Sequence, residues 1–346
     1  RPEEARRFYN IGRRGCASGE GVFGFRIRKA DTVSTQQSMA TKSSNALFSK
    51  LSRFVYGTTR LGHDAVSLED RLKIARRARD AGVWFHTSRQ YGGAIETLKQ
   101  VFDEDRSKTP PLIVKMGNDS IEQVREILQA NMEPLGVDHV EVGQLCLGGA
   151  FADSFAAGGK ACDELLALKE EGLVKHFIYE VFPWTSKAPY EALKTGNASK
   201  LVDAYIFYFN PLQRFATNEL WNLIRDRDFP IIAMRTVCGA PVHALRDVPG
   251  AAWTPYLKDR AVEVAPIFER SGIRDWTEFC MRFAFSYPQV KATVGSTSRA
   301  DNLDAFLKYG LADTVEPLPD EILTEIETLH YRWSEQVDTK AEPWTM

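Results

Sequence analysis

Between residues 54 and 295, short apolar runs alternate with amphipathic stretches of helical length, and the alternation repeats eight times. The apolar runs fall at 54–59, 83–88, 112–117, 140–147, 174–181, 204–210, 230–237 and 289–295. Helical periodicity appears near 67–81, 94–105, 120–134, 160–171, 186–195, 216–227, 257–271 and 299–309. Strands alternating with helices build a parallel sheet. Eight such units in 346 residues specify an α/β fold of the (β/α)8 TIM-barrel type, a closed sheet inside a ring of helices. No GxGxxG follows a strand, which argues against an open doubly wound sheet. The first helix shows how the signals read. Ser67 is a good N-cap with Asp70 three residues on, Leu68, Leu72 and Ala75 share a face, and Gly82 closes it. The linkers 148–159 and 238–256 are longer than ordinary strand–helix loops and read as substrate-covering loops. A last helix near 319–335 is expected outside the barrel, with Trp344 reaching its mouth.

The barrel is assigned to residues 47–338, with a tail at 339–346. Residues 1–46 are rich in Arg, Gly and Ser, with only Val22–Ile27 strand-like, and read as a poorly ordered N-terminal extension. Met39-Ala40-Thr41-Lys42-Ser43 resembles an ordinary start, so the first 38 residues read as an upstream extension. Glu3, Glu4, Glu20 and Asp31 count against a transit peptide.

Composition excludes several function classes. The 44 basic and 46 acidic residues leave a net charge of −2, which offers nothing to nucleic acid. No apolar run approaches a membrane span. The five cysteines (Cys16, Cys146, Cys162, Cys238, Cys280) show no CxxC spacing. That argues against a disulfide framework or zinc site and for a reducing, cytoplasmic compartment. Six scattered histidines without HExxH give no metal centre. A small-molecule substrate is the expected partner; oligomeric state is not legible.

In a barrel of this type the C-terminal ends of the strands carry the chemistry. Tyr91 follows the second run and Lys115 ends the third, inside an apolar stretch where a lysine has no cheap structural role. A lysine beside a phenol favours phenolate, so Tyr91 is expected to titrate below its free value of about 10. Glu180 ends the fifth run. Phe182, Trp184, Trp253 and Tyr256 lie on loops of the same face and suit an apolar substrate wall.

The order of motifs over residues 54–335 resembles that of the aldo-keto reductases. Tyr56-Gly57-Thr58-Thr59-Arg60-Leu61-Gly62 resembles the family's first strand and loop. Ala81 to Gly92 resembles its AGxxxFDTAxxYG signature, followed by Glu96. Lys115 falls on the family lysine, and Leu135 to Cys146 resembles LGxDYVDLYQLH. Phe209-Asn210-Pro211-Leu212 resembles YNPL, and Thr293 to Ser298 resembles the segment touching the cofactor's adenosine phosphate. The resemblance implies NADP(H)-dependent carbonyl reduction, with Tyr91 as acid and Lys115 tuning it. It also implies cofactor contacts from Asn210, Arg235, Gly295, Ser296, Thr297, Ser298 and Arg299. The chain departs from the pattern as well. His86 stands where the family has an aspartate paired with the lysine, and Cys146 where it has a carbonyl-orienting histidine. Glu180 and Val181 replace a Ser-Asn pair, Ile206 a glutamine and Met234 a stacking tyrosine, all nicotinamide contacts. The loop Arg235 to Gly239 replaces an SPLxxG turn.

Placed together at the barrel mouth, His86 and Lys115 cannot both stay charged cheaply. Either the imidazole is neutral or the lysine's pKa falls. Glu180 is positioned to counter one of them. Cys146 is a weak donor, and as a nucleophile it needs a pKa depressed by neighbouring cations. Structural readings stand beside these: a satisfied strand-end histidine, a small core cysteine and a solvated Arg299. Three functions are compatible with this set, since a barrel does not fix a reaction: a divergent reductase, a non-redox acid–base enzyme such as an isomerase or lyase, and a catalytically silent binding or regulatory relative.

Overall fold

A computed structural model describes residues 46–62, 66–117, 119–238 and 255–337. The N-terminal extension, most of the 238–256 linker, Trp253 and Trp344 lie outside the described residues, as do the side chains of Trp184 and Tyr256. Strands β1 (Phe54–Gly57), β2 (Trp84–Thr87), β3 (Leu112–Met116), β4 (Val140–Leu145), β5 (Val174–Glu180) and β6 (Val202–Asn210) pair in sequence order. A two-residue strand β7 (Gln213–Arg214) folds back antiparallel on β6, and β8 (Ile231–Met234) and β9 (Val290–Gly295) complete the circuit. β9 pairs with β1, so eight parallel strands form a closed barrel.

Helices α1 (Leu68–Asp80), α2 (Ala94–Glu104) and α3 (Ile121–Leu135) follow the first three strands. α4 (Gly149–Ala156) and α5 (Lys160–Glu170) follow β4; α6 (Lys187–Thr195) and α7 (Ala198–Leu201) follow β5. The rest are α8 (Asn218–Asp226), α9 (Pro255–Arg270), α10 (Trp276–Phe285), α11 (Ala300–Gly310) and α12 (Asp320–Val337). The Ser67 hydroxyl caps α1 by accepting from the Asp70 N–H, satisfying a donor that the first turn leaves free. The buried stripe of α1 is Ile74, Ala75 and Ala78, whereas Leu68 is 44% exposed. Leu68, the first helical position, is therefore not a core residue.

Two expectations need correction. The 148–159 linker is no open loop, because α4 occupies most of it and buries Phe151, Ala152, Phe155 and Ala156. That i, i+1, i+4, i+5 spacing is one helical face, and Phe155 meets Tyr179 edge-to-face at 5.2 Å. The second is α10, which lies in a stretch read as connection. Its N-cap Asp275 accepts from the Glu278 N–H at 2.7 Å, so Asp-x-x-Glu was the available signal.

The core has two layers. One cluster lies between the sheet and the helices. The other fills the barrel interior with Val55, Trp84, Ile113, Val142, Ile178 and Ile232 among others, and Leu47 and Leu51 belong to it. Because side chains on a strand alternate faces, the residue two positions after each lumen residue also points inward. His86 follows Trp84, Lys115 follows Ile113, Gln144 follows Val142, Glu180 follows Ile178 and Tyr208 follows Ile206. The polar cluster is thus stacked on the apolar lumen, at the C-terminal end of the barrel.

If α4 is a packed element, Phe155→Ala removes a fully buried ring and should cost about 3–5 kcal/mol in equilibrium urea unfolding. A loss near zero would return this segment to the status of a loop.

Candidate active site

Tyr91 is set by a close crossing of two loops. A Cβ on Gly62 would lie 1.4 Å from the Tyr91 carbonyl oxygen, and one on Gly92 would lie 2.4 Å from the Gly62 oxygen. Gly92 also has φ +54°, a region open to glycine. Tyr91 then joins α2, its carbonyl accepting from the Ala94 N–H, while its own N–H donates to Ser88. Asn131 of α3 holds the same loop from behind, accepting from the Arg89 N–H at 2.7 Å. The β1 and β2 ends are tied by the Thr58–Thr87 hydroxyl bond of 2.8 Å.

Around Tyr91 the inward-pointing residues form one network. Lys115 Nζ lies 2.9 Å from Glu180 Oε1, and the Cys146 thiol donates to Glu180 Oε2 at 2.6 Å. His86 Nε2 lies 2.6 Å from Gln144 Oε1. An amide oxygen only accepts, so Nε2 carries the hydrogen. The His86 and Tyr91 rings are 6.1 Å apart. The Gln144 amide nitrogen is buried without a well-formed hydrogen bond, yet lies near enough to favour the Glu180 carboxylate.

Charge follows from burial and from this pairing. Burial, then the charge of Lys115, pushes the His86 imidazole down to about 4. It is neutral at pH 7, which settles the His86–Lys115 conflict on the side of a charged lysine. Burial alone would lower the Lys115 ammonium, but Glu180 and the surrounding phenols and thiol hold it well above its usual value. Burial alone would raise the Glu180 carboxyl, yet Lys115 and hydrogen bonds from its neighbours keep it below the carboxylate range. The counter-charge on β5 therefore does what the aspartate on β2 does in the resembled pattern.

One expectation fails here, and one condition is not met. Tyr91 does not titrate below its free value, because burial, with help from Glu180, outweighs Lys115 and raises the phenol to about 12. Cys146 is not activated either. Burial and then Glu180 raise its thiol well above the ordinary value, and Lys115 offsets this only in part. Cys146 is a hydrogen-bond donor to Glu180 and not a thiolate nucleophile.

The residues assigned to the cofactor lie on the other half of the mouth. Asn210 is fully buried; its amide nitrogen donates to the Arg235 carbonyl and to Gln213, and its oxygen accepts from the Leu212 N–H. It holds the turn between β6 and β7 to the chain just past β8 and exposes no polar atom. Gly295 lets Phe306 of α11 pack on β9, a built Cβ being 2.9 Å from that ring. Ser296 accepts from the Arg60 N–H, the Thr297 hydroxyl accepts from the Arg299 N–H, and Tyr56 donates to the Thr297 carbonyl. Arg299 precedes α11 without a side-chain cap of its own, and Ser298 is partly exposed. An uncapped helix N-terminus beside an arginine and hydroxyls fits the phosphate end of NADP(H). At the other end Ile206 and Met234 are buried and apolar, and both Glu180 oxygens are engaged, so this half supplies a hydrophobic wall and few polar handles.

Among the described residues there is no group of His, Cys, Asp and Glu able to hold a metal ion, and no helix long and apolar enough to cross a membrane. A sequence model of the Aldo/keto reductase family matches residues 53–329. The chain belongs to the aldo/keto reductase family. Its architecture is similar to that of aldo-keto reductase AKR11C1 from Bacillus halodurans (holo form), with a TM-score of 0.61. The two are 19% identical over 81% of this chain and 92% of that one, a likeness that speaks for the fold. No curated protein sequence matches significantly. Family membership supports an oxidoreductase-like activity on small molecules.

Three residues of this site escaped the sequence reading. Gln144 and Tyr208 sit at inward positions of β4 and β6, and counting by two from Val142 and Ile206 finds them. Arg60 has no such signal, because it follows β1 in a short turn.

The buried neutral His86 has a pH signature. Its folded value of about 4 lies below the unfolded value, so the unfolded state binds the extra proton first as pH falls. Stability present above pH 6.5 should decline by about 3 kcal/mol on the way to pH 4. Denaturant unfolding at stepped pH should show this slope in the wild type and a flatter one in His86→Asn. Gly62→Ala should displace Tyr91, costing about 1–3 kcal/mol in the same assay.

Proposed function

We propose that the protein is an NADP(H)-dependent reductase of small carbonyl compounds in which Tyr91 gives up the proton and the Lys115–Glu180 pair tunes it. The observation that carries this reading is the 2.9 Å pair in the barrel mouth beside a buried phenol. NADPH, when bound, supplies the hydride. Tyr91 with a pKa raised to about 12 is fully protonated at neutral pH and always has a proton to give. An alkoxide is more basic than such a phenol, so the transfer runs downhill. Lys115 stabilises both the developing oxyanion and the phenolate left behind. Glu180 keeps Lys115 charged in a site that would otherwise favour the neutral amine. His86, fixed by Gln144, presents a neutral imidazole and adds no competing charge. Ser296, Ser298, Arg299 and the start of α11 are the groups that would hold the adenosine phosphate.

A second reading follows from a specific observation. Ile206, Met234 and the engaged Glu180 leave few polar contacts for a carboxamide, while Tyr91 and Lys115 need no hydride to remove a proton beside a carbonyl. On that reading the site is a non-redox isomerase or lyase. In the silent alternative neither Tyr91 nor Lys115 affects anything but stability.

Titrating the protein with NADPH while following tryptophan fluorescence separates these readings. Saturable micromolar binding is expected, and Tyr91→Phe should lower kcat for carbonyl reduction by roughly 10²–10⁴-fold with little change in NADPH affinity. Glu180→Gln should move the alkaline limb of the activity profile to lower pH, since Lys115 loses the partner that raises its pKa. Absence of binding up to millimolar NADPH would sink the reductase reading. Turnover of an oxo compound without NADPH, lost in Tyr91→Phe and Lys115→Met, would establish the second.

A further inference from the structure

Arg60 and Arg235 follow the ends of β1 and β8, the two strands that flank β9. The Arg60 N–H donates to Ser296 at the end of β9 at 2.9 Å, and Met234, the residue before Arg235, is paired with Val294. Three adjacent strand ends thus bring both side chains to one sector of the mouth. Each is partly buried, and among the described residues neither forms an ion pair. Among the same residues, Arg53, Arg71 and Arg214 also lack a carboxylate, but their side chains donate to carbonyl or amide oxygens. Burial and then the charge of Arg235 depress the Arg60 guanidinium. Two like charges brought together without an acid repel one another, a cost that an anion would relieve.

The position of Arg235 is held in place. Its φ of +47° is unusual for a side-chain-bearing residue, and the Asn210 amide fixes its carbonyl at 3.0 Å. Its guanidinium lies 4.6 Å from the centre of the Tyr208 ring. Tyr208 points into the mouth and is near enough to influence Tyr91 and Lys115. The Arg235 charge is therefore on the side of Tyr208 and the reacting pocket.

We propose that Arg60 and Arg235 form an oxyanion-binding pair for the substrate, so that the carbonyl compound taken by this protein carries a carboxylate or phosphate group. Guanidinium groups bind both in a forked geometry. The oxyanion relieves the repulsion between the arginines, and Tyr91 and Lys115 face the carbonyl. The carbonyl part of this statement rests on the reductase reading above; the anion part does not.

The test measures binding directly, by calorimetry, with 4-carboxybenzaldehyde and 4-nitrobenzaldehyde as probes, with and without saturating NADPH. The wild type should bind the carboxylate probe about tenfold more tightly, the scale of one charge-assisted hydrogen bond. Arg60→Gln and Arg235→Asn should each erase that preference while NADPH affinity stays within about threefold. Asparagine tolerates the left-handed backbone at 235, and Arg60→Lys, which keeps the charge, should retain most of the preference. Arg299→Gln should weaken NADPH and spare the carboxylate probe. Equal affinity for the two aldehydes in the wild type would overturn the proposal. So would Arg60 and Arg235 variants that lose NADPH tenfold but keep the preference, since the pair would then serve the cofactor's diphosphate. If the preference holds and neither aldehyde is reduced, the reductase reading fails and the anion site stands.

Discussion

The ion pair between Lys115 and Glu180 governs the rest of the mouth. Both side chains leave their strands toward the lumen, two residues above the apolar layer made by Ile113 and Ile178. An ammonium placed there alone would be costly, and the carboxylate across β4 allows it to stay charged. Each partner's ionisation is then set by the other against the opposing effect of burial. The neighbours follow. His86 is left neutral by burial and then by the charge of Lys115, which Gln144 and Glu180 offset only in part. Cys146 remains a thiol because it is buried and faces a carboxylate. Tyr91 keeps its proton because burial outweighs the charge of Lys115, which Glu180 also opposes.

How much of this was legible in the sequence depends on which interactions are local. The eight strands were, because each is a short apolar run bounded by turn signals, and closure follows from their number and parallel order. The strand-end positions of His86, Lys115, Cys146 and Glu180 were legible for the same reason, with Tyr91 in the loop that follows β2. The acidity of Tyr91 was not. It depends on burial and on a carboxylate 89 residues away in the chain, neither of which a local pattern reports. The α4 helix was hidden by its composition, since a segment of Gly, Ala, Ser and two phenylalanines reads as a loop until its apolar face finds α6. Arg60 was an ordinary loop arginine and Arg235 an expected cofactor contact until strand order made them neighbours.

The mouth is asymmetric around the barrel. From β2 to β5 it carries His86, Lys115, Gln144, Cys146 and Glu180, a proton-handling half whose charges cancel. From β8 through β9 to β1 it carries Arg235, Ser296 and Arg60, a cationic half with nothing to cancel it among the described residues. Tyr208 on β6 joins the halves, with Arg235 over its ring and Phe182 against its edge. A barrel makes such division easy, since each strand end is an independent position held by the same frame. On the proposed reading, proton chemistry and ligand capture are therefore separable, although they share one opening.

That separation bears on why the counter-charge stands on β5. A carboxylate at position 86 in addition to Glu180 would put two acids around one lysine, and one of them would take up a proton to avoid the repulsion. The histidine at 86 and the glutamate at 180 are thus alternatives to be exchanged together. With the carboxylate on β5, its second oxygen is free to fix Cys146, and the imidazole on β2 is free to fix Gln144. The cost falls on the pocket beside Ile206 and Met234, where the carboxylate occupies the strand end that offers a nicotinamide its polar contacts in the resembled pattern. Whatever ring sits against that wall must be held by its remaining parts, and the cationic half of the mouth is where this chain has put its unspent charge.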